Sequence, residues 1–342
     1  MKIYTLYGLI FLCALIFSVI ITPIMRKIAL KFNIFDHPLN KIKTHKNPVP
    51  YLGGLAIWFS IILSMVLLRL FTNFPTGTLR SLRGILFGSL LIVLLGLIDD
   101  LHLKGINFKI KFIFQFVAAF ILIYFGIKIK FIAPEYMGWI FTFIWIVGIT
   151  NAFNIVDVVD GLSSGIAIIA SCAFLFISLP TEELYVNFTA IILCGACLGF
   201  IPYNLSKKYK IFLGDTGSLL IGFILCALSL GTSYTSINNI AIFAPILILA
   251  LPLYDTILVS FLRISKGKSP FLGSKDHFAL RMEFLGMSRL KVLIISLLVS
   301  ILLSICAFVS TKVNQIGSLI IYSIVITFFI FGTKYLLKLR IE

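Results

Sequence analysis

The sequence predicts an all-α polytopic integral membrane protein of about eleven transmembrane helices, folded as a single domain over residues 1–342. Three observations carry that prediction. Apolar residues make up 60% of the chain and charged residues 12%, with a mean hydropathy of +1.10, a composition that water-soluble domains do not have. The apolar residues are gathered into runs near the roughly 20 residues that a helix needs to cross a hydrocarbon core. Between alternate runs lie islands dense in Asp, Asn, His, Lys and Gly.

The runs centre on 4–25, 51–71, 82–98, 110–127, 137–153, 161–179, 187–204, 217–232, 239–261, 291–310 and 317–336. The first lacks a small-residue cleavage site, and Arg26 and Lys27 follow it, so it reads as a retained helix and not as a signal peptide. The purely apolar part of the fifth, Gly138 to Thr150, is short, and the ninth is interrupted by Pro245, Asp255 and Pro252. Both are expected to break at one end, because non-helical backbone at membrane depth survives only against protein or a wet cavity. All six cysteines fall within predicted helices and read as small apolar packing residues. Gly195 and Gly199, spaced i, i+4, read as a close-packing pair.

Charge sets the orientation. Eleven alternating helices place 22 of the 29 Lys and Arg on one side, in 26–50, 99–111, 151–160, 205–216, 262–291 and the tail from 334. The positive-inside rule makes that side cytoplasmic, with the N-terminus outside and the C-terminus inside. A formal charge of +16 is therefore explained by orientation and anionic lipid headgroups and does not call for nucleic acid.

The acids are sorted as sharply, and orientation does not account for that. All eight aspartates and all four histidines fall on or near the lysine-rich side, whereas the other side has only Glu135, Glu182 and Glu183. Carboxylates gathered beside lysines at one membrane face suit a divalent cation with phosphates, since hard cations take oxygen ligands.

Five islands carry the detail. "DHPLNKIKTHKNPVPYLGG" (36–54), which contains His45, is a Pro- and Gly-rich loop entering the second helix. "LIDDLHLKGINFKIKF" (97–112) ends a helix on Asp99 and Asp100, two carboxylates that repel unless a metal or proton neutralises them, with Lys111 following. In "NAFNIVDVVDGL" (151–162), Asn151, Asn154, Asp157 and Asp160 recur every three residues. At about 100° per residue that set winds half-way round a straight helix, so a helix opening between Asp157 and Gly161 brings the groups together better than one face does. "FLGDTGSLLIGF" (212–223) sets Asp215 between glycines where a helix begins, a place suited to phosphate and Mg²⁺. "RISKGKSPFLGSKDHFALRMEFLGMSR" (263–289) is the most basic loop, with His277 and Arg281 at i, i+4. Each island alone also reads as a solvated or capped helix end.

Together, and in this order, "PVPYLGG", "LIDDLHL", "NAFNIVDVVDGL", "FLGDTGS" and "SPFLGSKDHFALRMEFLG" resemble the polyprenyl-phosphate N-acetylhexosamine-1-phosphate transferases over nearly the whole chain. The resemblance implies a Mg²⁺-dependent enzyme, Mn²⁺ being an admissible substitute, of the cytoplasmic (inner) membrane. It would move a sugar 1-phosphate from a UDP-sugar to undecaprenyl or another polyprenyl phosphate, release UMP, and act alone or as a homo-oligomer. By matching motif positions, Asp99 and Asp100 resemble the essential pair beside the lipid phosphate and Asp215 the metal-binding aspartate. Asn154, Asp157 and Asp160 fall where the family handles the nucleotide, His277 and Arg281 where it meets the sugar diphosphate, and His45, Lys111 and Asn151 complete the implied substrate-binding set.

The chain has Asp157-Val158-Val159-Asp160-Gly161 where the family commonly shows Asp-Gly-x-Asp-Gly, and Ala279 and Leu280 follow His277 where polar residues or further histidines often stand. The absence of a histidine triplet points away from the phospho-N-acetylmuramoyl-pentapeptide branch and toward GlcNAc. Two other classes fit less well. A CDP-alcohol phosphotransferase needs Ala-Arg after its Asp-Gly, and "LSSGIAIIAS" supplies none; a cation-coupled transporter places its carboxylates near the midplane and not at one face.

Overall fold

A computed structural model of the chain describes residues 3–36, 47–102, 105–181, 183–270 and 274–338. Its helices follow the apolar runs. In chain order they are α1 (Ile3–Lys31), α2 (Gly53–Phe71), α3 (Thr76–Leu101), α4 (Phe108–Tyr124), α5 (Glu135–Val156), α6 (Leu162–Ser178), α7 (Leu184–Asn204), α8 (Gly214–Gly231), α9 (Ala244–Ile248), α10 (Ala250–Ser265), α11 (Phe278–Phe284), α12 (Arg289–Ser310) and α13 (Gln315–Leu337). Among the described residues nine helices are long and apolar enough to cross a membrane, and Asn239–Ile248 with Ala250–Ser265, bent by 70° at its break, makes up to ten if the pair is one span. α4, at 17 residues, fills the remaining predicted run and is slightly shorter than the usual span. The protein is an all-α multi-pass membrane protein.

The ninth run is broken as expected, but near its middle and not at one end: Pro245 and Pro252 flank Leu249, and a proline in a helix removes a hydrogen bond and crowds the preceding turn. The expectation for the fifth run is corrected, since α5 is one continuous helix of 22 residues. Asn151 and Asn154 do not end it, because Asn151 donates to the Val147 carbonyl and to Gln115, and Asn154 to Ser218, so neither side chain is left unpaired in the bundle. Two small elements were not foreseen. Phe35–Asp36 (β1) pairs antiparallel with Val49–Pro50 (β2), and α11 lies in the last basic loop.

α8 is the hub of the bundle. Its span is 83% buried, against 11% for α13 at the rim, and it packs on α3, α5 and α2. Its first turn is clasped by glycines: a Cβ at Gly54 would lie 2.2 Å from the Gly217 nitrogen, and one at Gly96 would lie 2.4 Å from the Thr216 Cα. Small residues let helix backbones approach this closely. The consequence is positional, because the backbone around Asp215 is fixed by α2 and α3 and not by a loop.

Candidate active site

The second and fourth islands meet at the start of α8. Gly214 has φ +72°, which only glycine adopts without strain, and a Cβ there would lie 2.5 Å from the Asp100 carboxylate. That carboxylate, at the end of α3, caps α8. One oxygen accepts from the Asp215 N–H at 2.8 Å, and the other accepts from the Thr216 N–H at 3.1 Å and the Thr216 hydroxyl at 2.6 Å. A helix start leaves N–H groups without partners and carries positive potential, so a buried carboxylate is well placed there. Its neighbour Asp99 accepts from the Ile106 N–H at 2.6 Å and from Lys111 at 2.7 Å. Lys111, in the first turn of α4, also donates to Asp215 at 2.7 Å. One ammonium thus joins two carboxylates carried by α3 and α8.

The third island is an open turn. α5 stops at Val156, residues 157–161 turn, and α6 begins at Leu162 with Gly161 at φ +77°, so the helix opens where the aspartate spacing predicts. Asn204, at the end of α7, holds the turn: its side chain accepts from the Gly161 N–H at 2.6 Å and donates to the Ile211 carbonyl at 3.0 Å. Asp160 pairs with Lys210 at 2.5 Å. Asp157 differs from its neighbours in accepting no hydrogen bond from the described residues. Burial, reinforced by the charges of Asp160, Asp215 and Asp100, pushes its carboxyl well above the usual carboxylate range.

The last island separates its two predicted residues. His277 lies at the cavity, and its Nδ1 is 2.8 Å from Asp255. Arg281, 2% exposed, bonds Asp276 at 2.6 Å and the Leu336 carbonyl at 3.1 Å. It joins the loop to α13 and does not line the cavity. Burial alone would raise Asp276, yet Arg281, Ser274 and Lys266 hold it below the usual range.

These groups surround a cavity of about 1170 Å³, somewhat above the ~300–1,000 Å³ usual for ligand sites. Of the predicted residues Lys111, Asn151, Asn154, Asp157, Asp160, Asp215 and His277 line it. Asp99 and Asp100 stand behind Lys111 and Asp215, and His45 lies outside the described residues. Sequence reasoning passed over Asp36, Tyr51, Asn204, Lys210 and Arg289, which also line the cavity. Tyr51 bonds Asp36, and burial together with that carboxylate raises its phenol above the usual range. The signal for Asp36 and Tyr51 was present, since both fall in the first island.

Among the described residues no three His, Cys, Asp or Glu side chains lie close enough to hold a metal by themselves. The donor set nevertheless fits Mg²⁺, which keeps several waters and takes one or two carboxylates together with substrate phosphates. Asp215 and Asp157 are hard oxygen donors on one cavity, and Asp157 accepts no hydrogen bond from the described residues.

Comparison with known proteins places the chain in a family. The sequence profile described as "Glycosyl transferase family 4" matches residues 82–233, the stretch from α3 to just beyond α8. The chain is 31% identical over 327 residues to the "Probable undecaprenyl-phosphate N-acetylglucosaminyl 1-phosphate transferase" of Bacillus subtilis (strain 168), covering 93% of this chain and 88% of that protein. It is 31% identical over 328 residues to the "Decaprenyl-phosphate N-acetylglucosaminephosphotransferase" of Mycolicibacterium smegmatis, covering 86% and 80%. With the "Undecaprenyl-phosphate alpha-N-acetylglucosaminyl 1-phosphate transferase" of Escherichia coli (strain K12) it shares 27% identity over 277 residues, covering 77% and 72%. The chain therefore belongs to glycosyl transferase family 4, among the polyprenyl-phosphate N-acetylhexosamine-1-phosphate transferases.

Proposed function

We propose that the protein transfers GlcNAc 1-phosphate from UDP-GlcNAc to undecaprenyl phosphate, releasing UMP, at the cytoplasmic face of the inner membrane. The observation that carries this reading is the composition of the cavity wall: Asp36, Asp157, Asp160 and Asp215 stand with Lys111, Lys210, Arg289 and His277 in one space. A phosphate monoester attacking a diphosphate brings anion to anion, so the reaction needs cations and positioned donors more than covalent chemistry from the protein. Three basic side chains face four carboxylates on that wall, so a bound diphosphate calls for a further cation. Mg²⁺ held by Asp215 would supply charge neutralisation at the diphosphate.

The chain's own residues do the rest. Lys111 is oriented by Asp99 and Asp215 and offers positive charge to phosphate oxygens. Asp100 fixes the α8 turn that carries Asp215. The 157–161 turn, held by Asn204, presents the Asp157 carboxylate and the Asp160–Lys210 pair to the nucleoside. On α10, Ser260 and Ile264 line the cavity, and Ile257, Phe261 and Ile264 are exposed along one side at i, i+4 and i+7. That apolar face gives a prenyl chain a path from the bilayer to the cavity. The absence of a histidine triplet after His277 and the names of the relatives support GlcNAc over a muramoyl-pentapeptide. Purified protein given undecaprenyl phosphate, Mg²⁺ and a panel of UDP-sugars should release UMP fastest from UDP-GlcNAc. Release from none of the panel would exclude the reaction, and vesicles showing ion-driven uptake instead would replace it with transport.

A further inference from the structure

Among the described residues one carboxylate that the reaction as described does not use is wholly buried: Asp255, in the second turn of α10, is 0% exposed. It lies in the ninth apolar run between Pro252 and the cavity-lining Thr256. An ionised group in that place is costly unless its oxygens are paired. Both are. One accepts from the Phe278 N–H at 2.8 Å, and the other lies 2.8 Å from His277 Nδ1. Since a carboxylate only accepts, the proton of that second bond belongs to Nδ1.

We propose that Asp255 is the positioning residue for His277. It clamps the ring and the following backbone N–H together, holds the proton on Nδ1, and leaves Nε2 as the ring atom that serves the cavity. The inference rests on the reading that His277 meets the sugar diphosphate. Two features make the clamp specific. It acts at two consecutive residues, His277 and Phe278, so rotation of the ring about its side-chain bonds and drift of the loop are both resisted. It also reaches from a membrane helix to a loop 22 residues further on, which ties the position of the imidazole to α10 and not to the loop's own backbone. An imidazole whose second nitrogen is held by a carboxylate has a defined tautomer and direction. A carboxamide at position 255 still accepts from Phe278 but turns its NH₂ toward the ring, which drives the ring proton to Nε2.

The test is nitrogen NMR on protein labelled at histidine, with the His277 signal assigned by its loss in His277→Gln, at a pH where the ring is neutral. Only four histidines are present, so the assignment is tractable. The wild type should carry its proton on Nδ1, and Asp255→Asn should carry it on Nε2. Turnover by Asp255→Asn should fall about 10–100-fold in kcat/KM, the usual cost of losing such an outer partner. In a His277→Gln background the same change should cost less than about twofold, because coupled residues do not add. A wild-type ring protonated on Nε2, or losses that multiply in the double variant, would overturn the proposal. Full activity in His277→Gln would instead remove the assigned role of His277, and the NMR result alone would then decide whether Asp255 sets its tautomer.

Discussion

Replacing Asp100 by Ala should damage the enzyme through the start of α8. Three hydrogen bonds are lost, from the Asp215 N–H, the Thr216 N–H and the Thr216 hydroxyl. Loss of a helix cap typically costs ~0.5–2 kcal/mol, and each donor left buried without a partner adds about 1–3 kcal/mol unless water reaches it. The cavity beside Asp215 admits water to part of this turn, so a net loss of about 2–4 kcal/mol follows, on the same scales. Asp215 sits in that turn, and a displacement of about 1 Å at a reacting group is enough to lower turnover ~10²-fold. Asp100→Asn should behave similarly, because the amide sets an NH₂ against donors. The assay is thermal unfolding in detergent, followed by a thiol-reactive dye that reports the six free cysteines as they become accessible, beside steady-state turnover. Both quantities should fall together. Turnover abolished with an unchanged unfolding midpoint would show that Asp100 acts on the reactants directly, and the capping argument would fail.

Asp157→Ala removes a carboxylate that no described residue pairs by hydrogen bonding, so it should raise the KM for UDP-GlcNAc about tenfold with a smaller change in kcat, the pattern of lost uniform binding; UMP should compete with the donor in the wild type, and an unchanged KM would remove Asp157 from the nucleotide site. Gly54→Ala puts a Cβ 2.2 Å from the Gly217 nitrogen, and overpacking of this kind costs about 1–3 kcal/mol. Its unfolding midpoint and turnover should both drop, and wild-type values for both would refute the close α2–α8 contact. For orientation, cysteines introduced at Lys208 and Ser274 should be protected from a membrane-impermeant thiol reagent in intact cells while one at Thr181 is labelled; the opposite pattern would invert the topology.

The fold was legible because the bilayer imposes it: a chain in hydrocarbon satisfies its backbone internally, and apolar run length then marks each helix. Where reading failed, tertiary partners decided. Asn151 and Asn154 look like helix enders in a membrane run, yet Gln115 and Ser218 satisfy them and α5 continues. The site was legible as a set of islands but not as layers. Asp99 and Asp100 are adjacent in sequence and equivalent in charge, but one orients Lys111 and the other caps α8, a difference that depends on where α8 starts in space. Arg281 and Arg289 are indistinguishable as basic loop residues, and only packing against α13 sends the first away from the cavity. Asp255 was visible as a charge inside an apolar run, but its partners, His277 and Phe278, come from the next loop and could not be assigned from spacing.

The central claim is that the phosphorus next to the sugar moves to the lipid and the nucleotide leaves as UMP. It is tested most directly with UDP-GlcNAc labelled at the β-phosphate, incubated with purified protein, undecaprenyl phosphate and Mg²⁺, and followed by partition into organic solvent. The account predicts that the label enters the lipid phase together with GlcNAc in equal amounts and that the UMP formed is unlabelled. Label left in the aqueous phase as UDP, with GlcNAc alone on the lipid, would show transfer of the sugar without its phosphate and would contradict the account.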